Sequence, residues 1–386
     1  MRGRVELGLM LGVLAAYGIG LSGANTMPLL LGALMDALAL DSQSGGFLGT
    51  LELVAGALGS LFLAPRAATV PRRRLALIGG ALAVSGYFLS AAVSGYAGIA
   101  LVRVATGACC GVVLAAGNAA AAASKDPDRL FALVVFLAGV AATALLWTLP
   151  YAVVPWGYAG GFALLGTVCL VALPLFWWLP AAPGGPEQSE FTTRGFSGAV
   201  AATLAGVFTL EMCGQGVWAF TERIGVGVGL DLTDIGKVTA LGNFSGLLGS
   251  VVAAWLGTRR GRTAPLAFGV GTTALAQWFL VNASSGTTYA VAQVGWGLAF
   301  YFTAPYMLGL AASLDRQGRW TVSAGAMMML GAAMGPLMAG SAIESWGYAG
   351  FARLLMACTA VAFASFTLVS AWLSRESERQ LGESDA

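Results

Sequence analysis

The sequence predicts an all-α polytopic membrane protein, with twelve transmembrane helices in two parallel six-helix repeats. Three observations carry that expectation. Hydrophobic residues make up 58% of the 386-residue chain and charged residues only 10%, and the mean hydropathy is +0.79; soluble domains carry about 25% charged residues. The pentapeptide Trp156-Gly157-Tyr158-Ala159-Gly160 returns at Trp346 to Gly350, an offset of 190 residues, close to half the chain. Basic residues gather on alternate loops.

The repeat extends well beyond the pentapeptide. At the same offset and without gaps, Leu40 and Asp41 meet Leu230 and Asp231, and Gly56, Leu58, Gly59 and Ser60 meet Gly246, Leu248, Gly249 and Ser250. Arg72 meets Arg262, Gly107 meets Gly297, and Arg129 meets Arg319. A register held from residue 40 to residue 350 marks an internal duplication.

Apolar runs near the bilayer-spanning length of about 20 residues then divide the chain. Six spans are expected at Leu7 to Gly32, Gly46 to Pro65, Leu75 to Ser94, Gly98 to Ala121, Leu130 to Val154 and Ala159 to Leu179. A linker rich in Pro, Gly and polar residues covers 180–197 and separates an N-terminal bundle, 1–179, from a C-terminal one, 198–386, that ends in a short tail. The second six run Gly198 to Phe220, Lys237 to Gly257, Ala264 to Val281, Thr288 to Ala312, Thr321 to Ile343 and Ala349 to Leu373. Arg2, Arg4 and Glu6 lead into a first run too long for the core of a cleavable signal peptide, so none is expected.

Charge sets the expected orientation. Arg2, Arg4, Arg66, Arg72 to Arg74, Lys125, Arg129, Arg194, Arg259, Arg260, Arg262, Arg316, Arg319, Arg375 and Arg379 fall on one side. Arg223, Lys237 and Arg353 fall on the other, and Arg103 lies inside a span. The positive-inside rule puts the first group, both termini and the linker in the cytoplasm. Six spans per half return the chain to the side it started from, so the halves are parallel repeats.

Composition also narrows the chemistry. The chain has no histidine, which removes Ser–His and Cys–His catalysis, histidine metal sites and histidine proton relays. Its only lysines, Lys125 and Lys237, sit in no phosphate-binding loop, which excludes ATP hydrolysis by that route. Cys109, Cys110, Cys169, Cys213 and Cys358 fall in apolar runs and read as small packing residues with no disulfide framework. No enzyme activity, cofactor or nucleic-acid partner is expected.

Loop motifs point to a family. Leu256-Gly257-Thr258-Arg259-Arg260-Gly261-Arg262 resembles the L-A-D-R-x-G-R core of the loop motif of the major facilitator superfamily; the first-half loop keeps Leu63-Ala64-Pro65-Arg66 and delays its basic cluster to Arg72. Pro65 and Thr258 stand where that family carries an aspartate. Arg103-Val104-Ala105-Thr106-Gly107 resembles the R-x-x-Q-G motif of the family's proton-coupled antiporters, with Thr106 in place of glutamine. Gly331-x-x-x-Gly335-Pro336-x-x-Ala339-Gly340, in the eleventh span, resembles an antiporter motif of the fifth helix, where this chain has only Gly139. The resemblance covers essentially the whole chain. It implies transport by alternating access, around a cavity walled by the first, fourth, seventh and tenth helices.

Ionisable groups within spans mark candidate coupling residues, because a charge at the bilayer centre costs about 3 kcal/mol on insertion scales. Glu52 lies about six residues from the outer end of its span, ~9 Å deep, and Arg103 enters to a similar depth; Glu211 lies about nine residues in, ~13 Å. An apolar cavity favours the protonated carboxyl and a nearby arginine favours the carboxylate, a competition suited to proton coupling. Two readings of Glu52 and Arg103 stand: proton-coupling groups, or a static pair joining two helices. Arg103 could also snorkel to the interface.

Glu211, Gln215 and Trp218 share a helix face, and the repeat sets Asn25 opposite Gln215, in a polar stretch from Ser22 to Thr26 that interrupts the first span. In the tenth span Gln293, Trp296 and Phe300 share a face beside Tyr301, and Asn243 is a further candidate in the eighth. Interhelical hydrogen bonding competes with substrate contact at each of these. The expected protein is a secondary transporter of a small organic solute, aromatic or carboxylate-bearing, with proton coupling through Glu52, Arg103 and Glu211. Proton-driven efflux of drugs or metabolites is the alternative, and lipid handling on the same scaffold the reading from another class. A monomer in a bacterial inner membrane, in contact with lipids, is expected.

Overall fold

The computed structural model describes residues 2–63, 70–181, 197–258, 261–314 and 319–384, and among these there are helices and short turns but no strand. The expected linker at 180–197 lies almost wholly outside the described residues, as do Arg66, Arg194, Arg259, Arg260 and Arg316.

The first span is two helices in line, Arg2–Gly20 and Ser22–Leu38, meeting at Leu21, whose φ of −106 and ψ of 0 leave the helical region. The interruption falls where the polar stretch begins. Ser22 Oγ bonds back to Ile19 O at 2.7 Å and Thr26 Oγ1 to Ser22 O at 2.8 Å, local bonds that compete with the helix ladder. Spans two to four are Ser42–Leu63, Arg72–Ala92 and Tyr96–Ala122. The fifth starts as Pro127–Thr148 and passes through Leu149, still helical, into Pro150–Ala172. Within that helix Gly157 breaks the geometry and the sixth span begins, ending in a 3-10 segment, Leu173–Trp178. Spans seven to ten are Gly198–Gly227, Leu232–Leu256, Thr263–Val281 and Gly286–Ser313. Arg319–Ser384 holds the last two, parted at Gly347.

The repeated pentapeptide is therefore a hairpin turn. Gly157 has φ 60 and ψ −157, and Gly347 has φ 66 and ψ −179, conformations that a residue with a Cβ adopts only under strain. Other repeat mates match atom for atom. Ala39 and Gly229 both take positive φ, 49 and 84, and close the first and seventh spans through Leu40 N to Met35 O and Leu230 N to Gly225 O, at 3.0 and 3.1 Å. Ser60 Oγ donates to Gly111 O at 2.8 Å and Ser250 Oγ to Tyr301 O at 3.3 Å, tying the second span to the fourth and the eighth to the tenth.

Two span ends differ materially from expectation. The first span was expected to end at Gly32, but its helix continues to Leu38 and carries Asp36 with it. The seventh span was expected to end at Phe220, but its helix continues to Gly227 and carries Glu222 and Arg223 with it. The packed interior holds Tyr87, Phe162 and Phe176 in the first half and Phe220, Phe351 and Phe366 in the second. Large apolar side chains also face outward, Leu101, Val171, Trp255 and Leu368 among them. A bundle apolar both inside and out suits lipid.

Asp41 opens the second span as its cap, accepting from Ser44 N at 2.7 Å, and Asp231 caps the eighth by accepting from Asp234 N at 2.8 Å. The Ser44 hydrogen bonds hold the Asp41 carboxyl below its ordinary range. A depressed carboxyl stabilises the fold fully above its unfolded value of about 3.9, and that stability is lost as pH falls through the lower folded value. Asp41→Ala is therefore expected to melt below wild type at neutral pH, the gap narrowing as pH drops below about 4. Melting curves in detergent across that range check it; a pH-independent gap would assign the effect to something other than the charged cap.

Candidate functional site

Chain direction puts Arg2, Pro180 and Ser197 at one end of the bundle, the linker side, and the turns at Ala39, Gly157 and Gly347 at the far end. The halves meet toward the far end. Arg223, on the seventh span, donates through Nη1 and Nη2 to Asp36 of the first, at 2.7 and 2.9 Å, and through Nε and Nη2 to its neighbour Glu222, at 2.6 and 2.8 Å. Glu222 is buried, and its carboxylate lies so close to Gly32 that a Cβ there would collide with it. The second span meets the eleventh where Ser42 N donates to Glu344 Oε2 at 3.1 Å and Leu337 N to Thr50 Oγ1 at 3.0 Å. The fifth meets the eighth where Asn243 Nδ2 donates to Gly139 O and Thr143 Oγ1, at 3.0 and 2.8 Å.

On the linker side of the clamp at Arg223 lie two cavities, of about 250 and 270 Å³, that share Ala24, Asn25 and Gln215. The first is walled by Glu211, Gln215, Trp218, Asn243, Gln293, Trp296, Phe300 and Tyr301 together with Asn25, which brings every sequence-derived binding candidate onto one surface. Aromatic rings run along that wall, with centroids 6.3 Å apart from Trp218 to Trp296, 6.0 Å from Trp296 to Phe300 and 5.9 Å from Phe300 to Tyr301. Some of these side chains also hold the structure together. Trp218 Nε1 donates across the halves to Ala24 O at 2.9 Å, and the Asn243 amide is committed to the fifth span. The Trp296 indole nitrogen and Gln293 Oε1 are buried with no hydrogen-bond partner among the described residues.

The three ionisable candidates separate. Arg103 is 2% exposed and points into the first half, not into the large cavities. Its Nε donates to Glu52 Oε2 at 3.0 Å, Nη2 pairs with Glu52 Oε1, and Nη1 reaches Ser90 Oγ at 3.4 Å. The guanidinium also packs over the rings of Tyr87 and Phe162, 5.0 and 4.9 Å from their centroids. Glu52 is the member of this pair that reaches the second cavity. Glu211 lies on the wall of the first cavity, 9% exposed, and forms no ion pair among the described residues. Among the described residues no three His, Cys, Asp or Glu side chains gather at metal-binding separation.

Sequence reasoning missed the clamp of Asp36, Glu222 and Arg223, and the shell of Tyr87, Ser90 and Phe162 around Arg103. The one available signal for the clamp was the repeat, which makes Gly32 and Glu222 register mates.

Two six-helix repeats, joined at one end and hollow between, define a multi-pass membrane transporter. Residues 10–314 match the family model of the Major Facilitator Superfamily, and the chain belongs to that family. Among solved structures it is similar to a mutant of the nucleoside transporter NupG, with a TM-score of 0.77 and 14% identity over 94% of this chain and 99% of that one. It is also similar to a bacterial homolog of the human lysosomal transporter Spinster, in an inward-facing and occupied conformation, with a TM-score of 0.74 and 14% identity over 96% and 97% of the two chains. At such identities the likeness is one of fold. No curated protein matched the sequence.

Proposed function

We propose that this protein is a proton-coupled carrier of a small organic solute with an aromatic or apolar body, working by alternating access. Residues 1–179 and 198–386 are the two moving halves, with the termini and the linker in the cytoplasm of a bacterial-type cell, and the protein acts as a monomer. In that orientation the cross-half contacts close the outer side, and a solute reaches the cavity from the inner side. The observation that carries the reading is Glu211, a carboxyl without an ion pair in the aromatic wall of a 250 Å³ cavity. A buried carboxylate without a counter-charge is expensive, so its charge has to be offset by a proton or by another group in the cavity. That makes its protonation depend on what fills the cavity. Glu52 already has its counter-charge in Arg103 and supports the first half.

Lumenal pH in proteoliposomes, followed while a panel of aromatic metabolites is added, tests the proposal. Solute-dependent pH change is expected in wild type and is expected to fall at least about a hundredfold in Glu211→Gln, in line with loss of a group acting directly in coupling. Solute flux with no pH change, equal in both proteins, would end the coupling proposal. Antiport earns a place as second reading from one observation: among the described residues no lysine or arginine lines either large cavity.

A further inference from the structure

Arginine and tryptophan side chains meet at the linker end of the first half. The third span opens with Arg72, Arg73 and Arg74, and the 3-10 segment that ends the sixth span closes with Trp177 and Trp178. Arg73 joins the two elements. Its Nε donates to Leu179 O at 2.9 Å, its backbone N–H donates to Pro180 O at 3.4 Å, and its guanidinium lies 5.5 Å from the centroid of the Trp177 ring. These contacts fix the guanidinium and leave its two Nη groups unbonded among the described residues, the fork that fits a phosphate.

The surroundings of Arg73 carry positive charge with nothing to offset it. Arg72 is 7% exposed, and its Nε is buried with no hydrogen-bond partner among the described residues. Arg74 is exposed. None of the three pairs with a carboxylate among the described residues. Pro71, ahead of the helix, supplies no side-chain cap, so the positive end of the helix dipole stays uncovered. Trp177 and Trp178 are 66% and 56% exposed, and Trp178 lies so close to Gly8 of the first span that a Cβ there would strike its ring.

The repeat supplies an internal control. At the 190-residue offset Arg262 matches Arg72, but Thr263 and Ala264 stand at the positions of Arg73 and Arg74, and Thr367 and Leu368 at those of Trp177 and Trp178. Topology asks for basic residues on the linker side of both halves. It does not ask for an arginine fixed between a buried arginine and two exposed indoles in one half only.

We infer that this corner binds one anionic phospholipid, its headgroup phosphate on Arg72 to Arg74 and the upper part of its acyl chains against Trp177 and Trp178. Indole rings sit at headgroup level in a bilayer, and basic segments beside a span attract anionic lipid. A free phosphate would satisfy the arginines and gain nothing from the exposed indoles. The inference holds whatever solute the carrier moves.

The full chain, purified in a neutral detergent and stripped of lipid, is titrated with phosphatidylglycerol, phosphatidylcholine or inorganic phosphate. Native mass spectrometry counts bound lipid, and melting is followed in parallel. One phosphatidylglycerol per chain is expected to bind saturably and to raise the melting temperature, an effect that neither of the other probes reproduces. Arg73→Gln is expected to weaken binding at least about tenfold, through loss of its charge-assisted hydrogen bonds. Arg74→Gln is expected to weaken it about fivefold and Trp177→Leu about threefold. Arg74 is exposed, so its replacement reports on binding even where Arg73→Gln fails to fold. Lys125→Gln, which removes another exposed charge of the linker side, is expected to change nothing. The inference is overturned if Lys125→Gln weakens binding as much as Arg74→Gln, which would mean diffuse surface charge, or if phosphatidylcholine binds equally well. It is also overturned if inorganic phosphate alone raises the melting temperature as far, which would make the occupant a free anion.

Discussion

Glu52→Gln is expected to destabilise the folded protein by about 3–5 kcal/mol, the cost of stripping a buried ion pair of one partner. The guanidinium left behind is 2% exposed and cannot shed its charge, since arginine stays protonated under all ordinary conditions. Arg103→Met is expected to cost less. The carboxylate it leaves is 14% exposed, borders the second cavity and can take up a proton. This asymmetry is the diagnostic result. Replacing both members, Glu52→Leu with Arg103→Met, should recover most of the lost stability, because well-packed apolar pairs often do as well as a buried pair. Thermal and denaturant unfolding in detergent measures all three. If the double variant is stable and still couples solute to protons, the pair is structural. If it is stable and moves solute without protons, Glu52 belongs to the coupling machinery after all.

Arg103 also shows where sequence reading stops. Its depth in the fourth span could be counted along the helix, but whether it faced the cavity or the interior of its own half could not. The direction is set by Tyr87 and Phe162, 16 and 59 residues away in sequence, which hold the guanidinium between their rings. The cavity-lining residues were legible for the opposite reason. Glu211, Gln215 and Trp218 follow helical spacing, and Gln293, Trp296 and Phe300 do the same on the tenth span, so periodicity set each group on one helix face, and the family resemblance implied that these faces line the cavity. The 190-residue register is kept in local geometry, from the Asp41 and Asp231 caps to the glycine turns at Gly157 and Gly347. It could not anticipate contacts between halves. Asn243 was open to solute contact and to interhelical bonding alike; it lines the first cavity, and its amide nitrogen serves the fifth span through Gly139 and Thr143, a pairing that depends on how the halves are docked.

The clamp at the far end supplies the second large effect. Gly32→Leu is expected to abolish transport, at least about a hundredfold, in a protein that still folds. Any side chain at position 32 would strike the Glu222 carboxylate, and Arg223 binds that carboxylate and Asp36 together. Displacing Glu222 therefore breaks the bond between the first and seventh spans and props the far end open. Asp36→Asn removes only an attraction. Asp36 is 69% exposed, so the pair contributes no more than about 1 kcal/mol, which shifts the balance of the two states by about fivefold. The steric change should exceed the electrostatic one by far, and that ordering separates a gate defined by close packing from one defined by charge. Asn25→Cys in the cavity reports the state through a membrane-impermeant maleimide. In the Gly32→Leu background it should label from the far side and lose labelling from the linker side, while Asp36→Asn should label from both. Labelling confined to the linker side in Gly32→Leu would mean that the Gly32–Glu222 contact is not the barrier, and would leave the Ser42–Glu344 and Thr50–Leu337 contacts as the elements that close the far end.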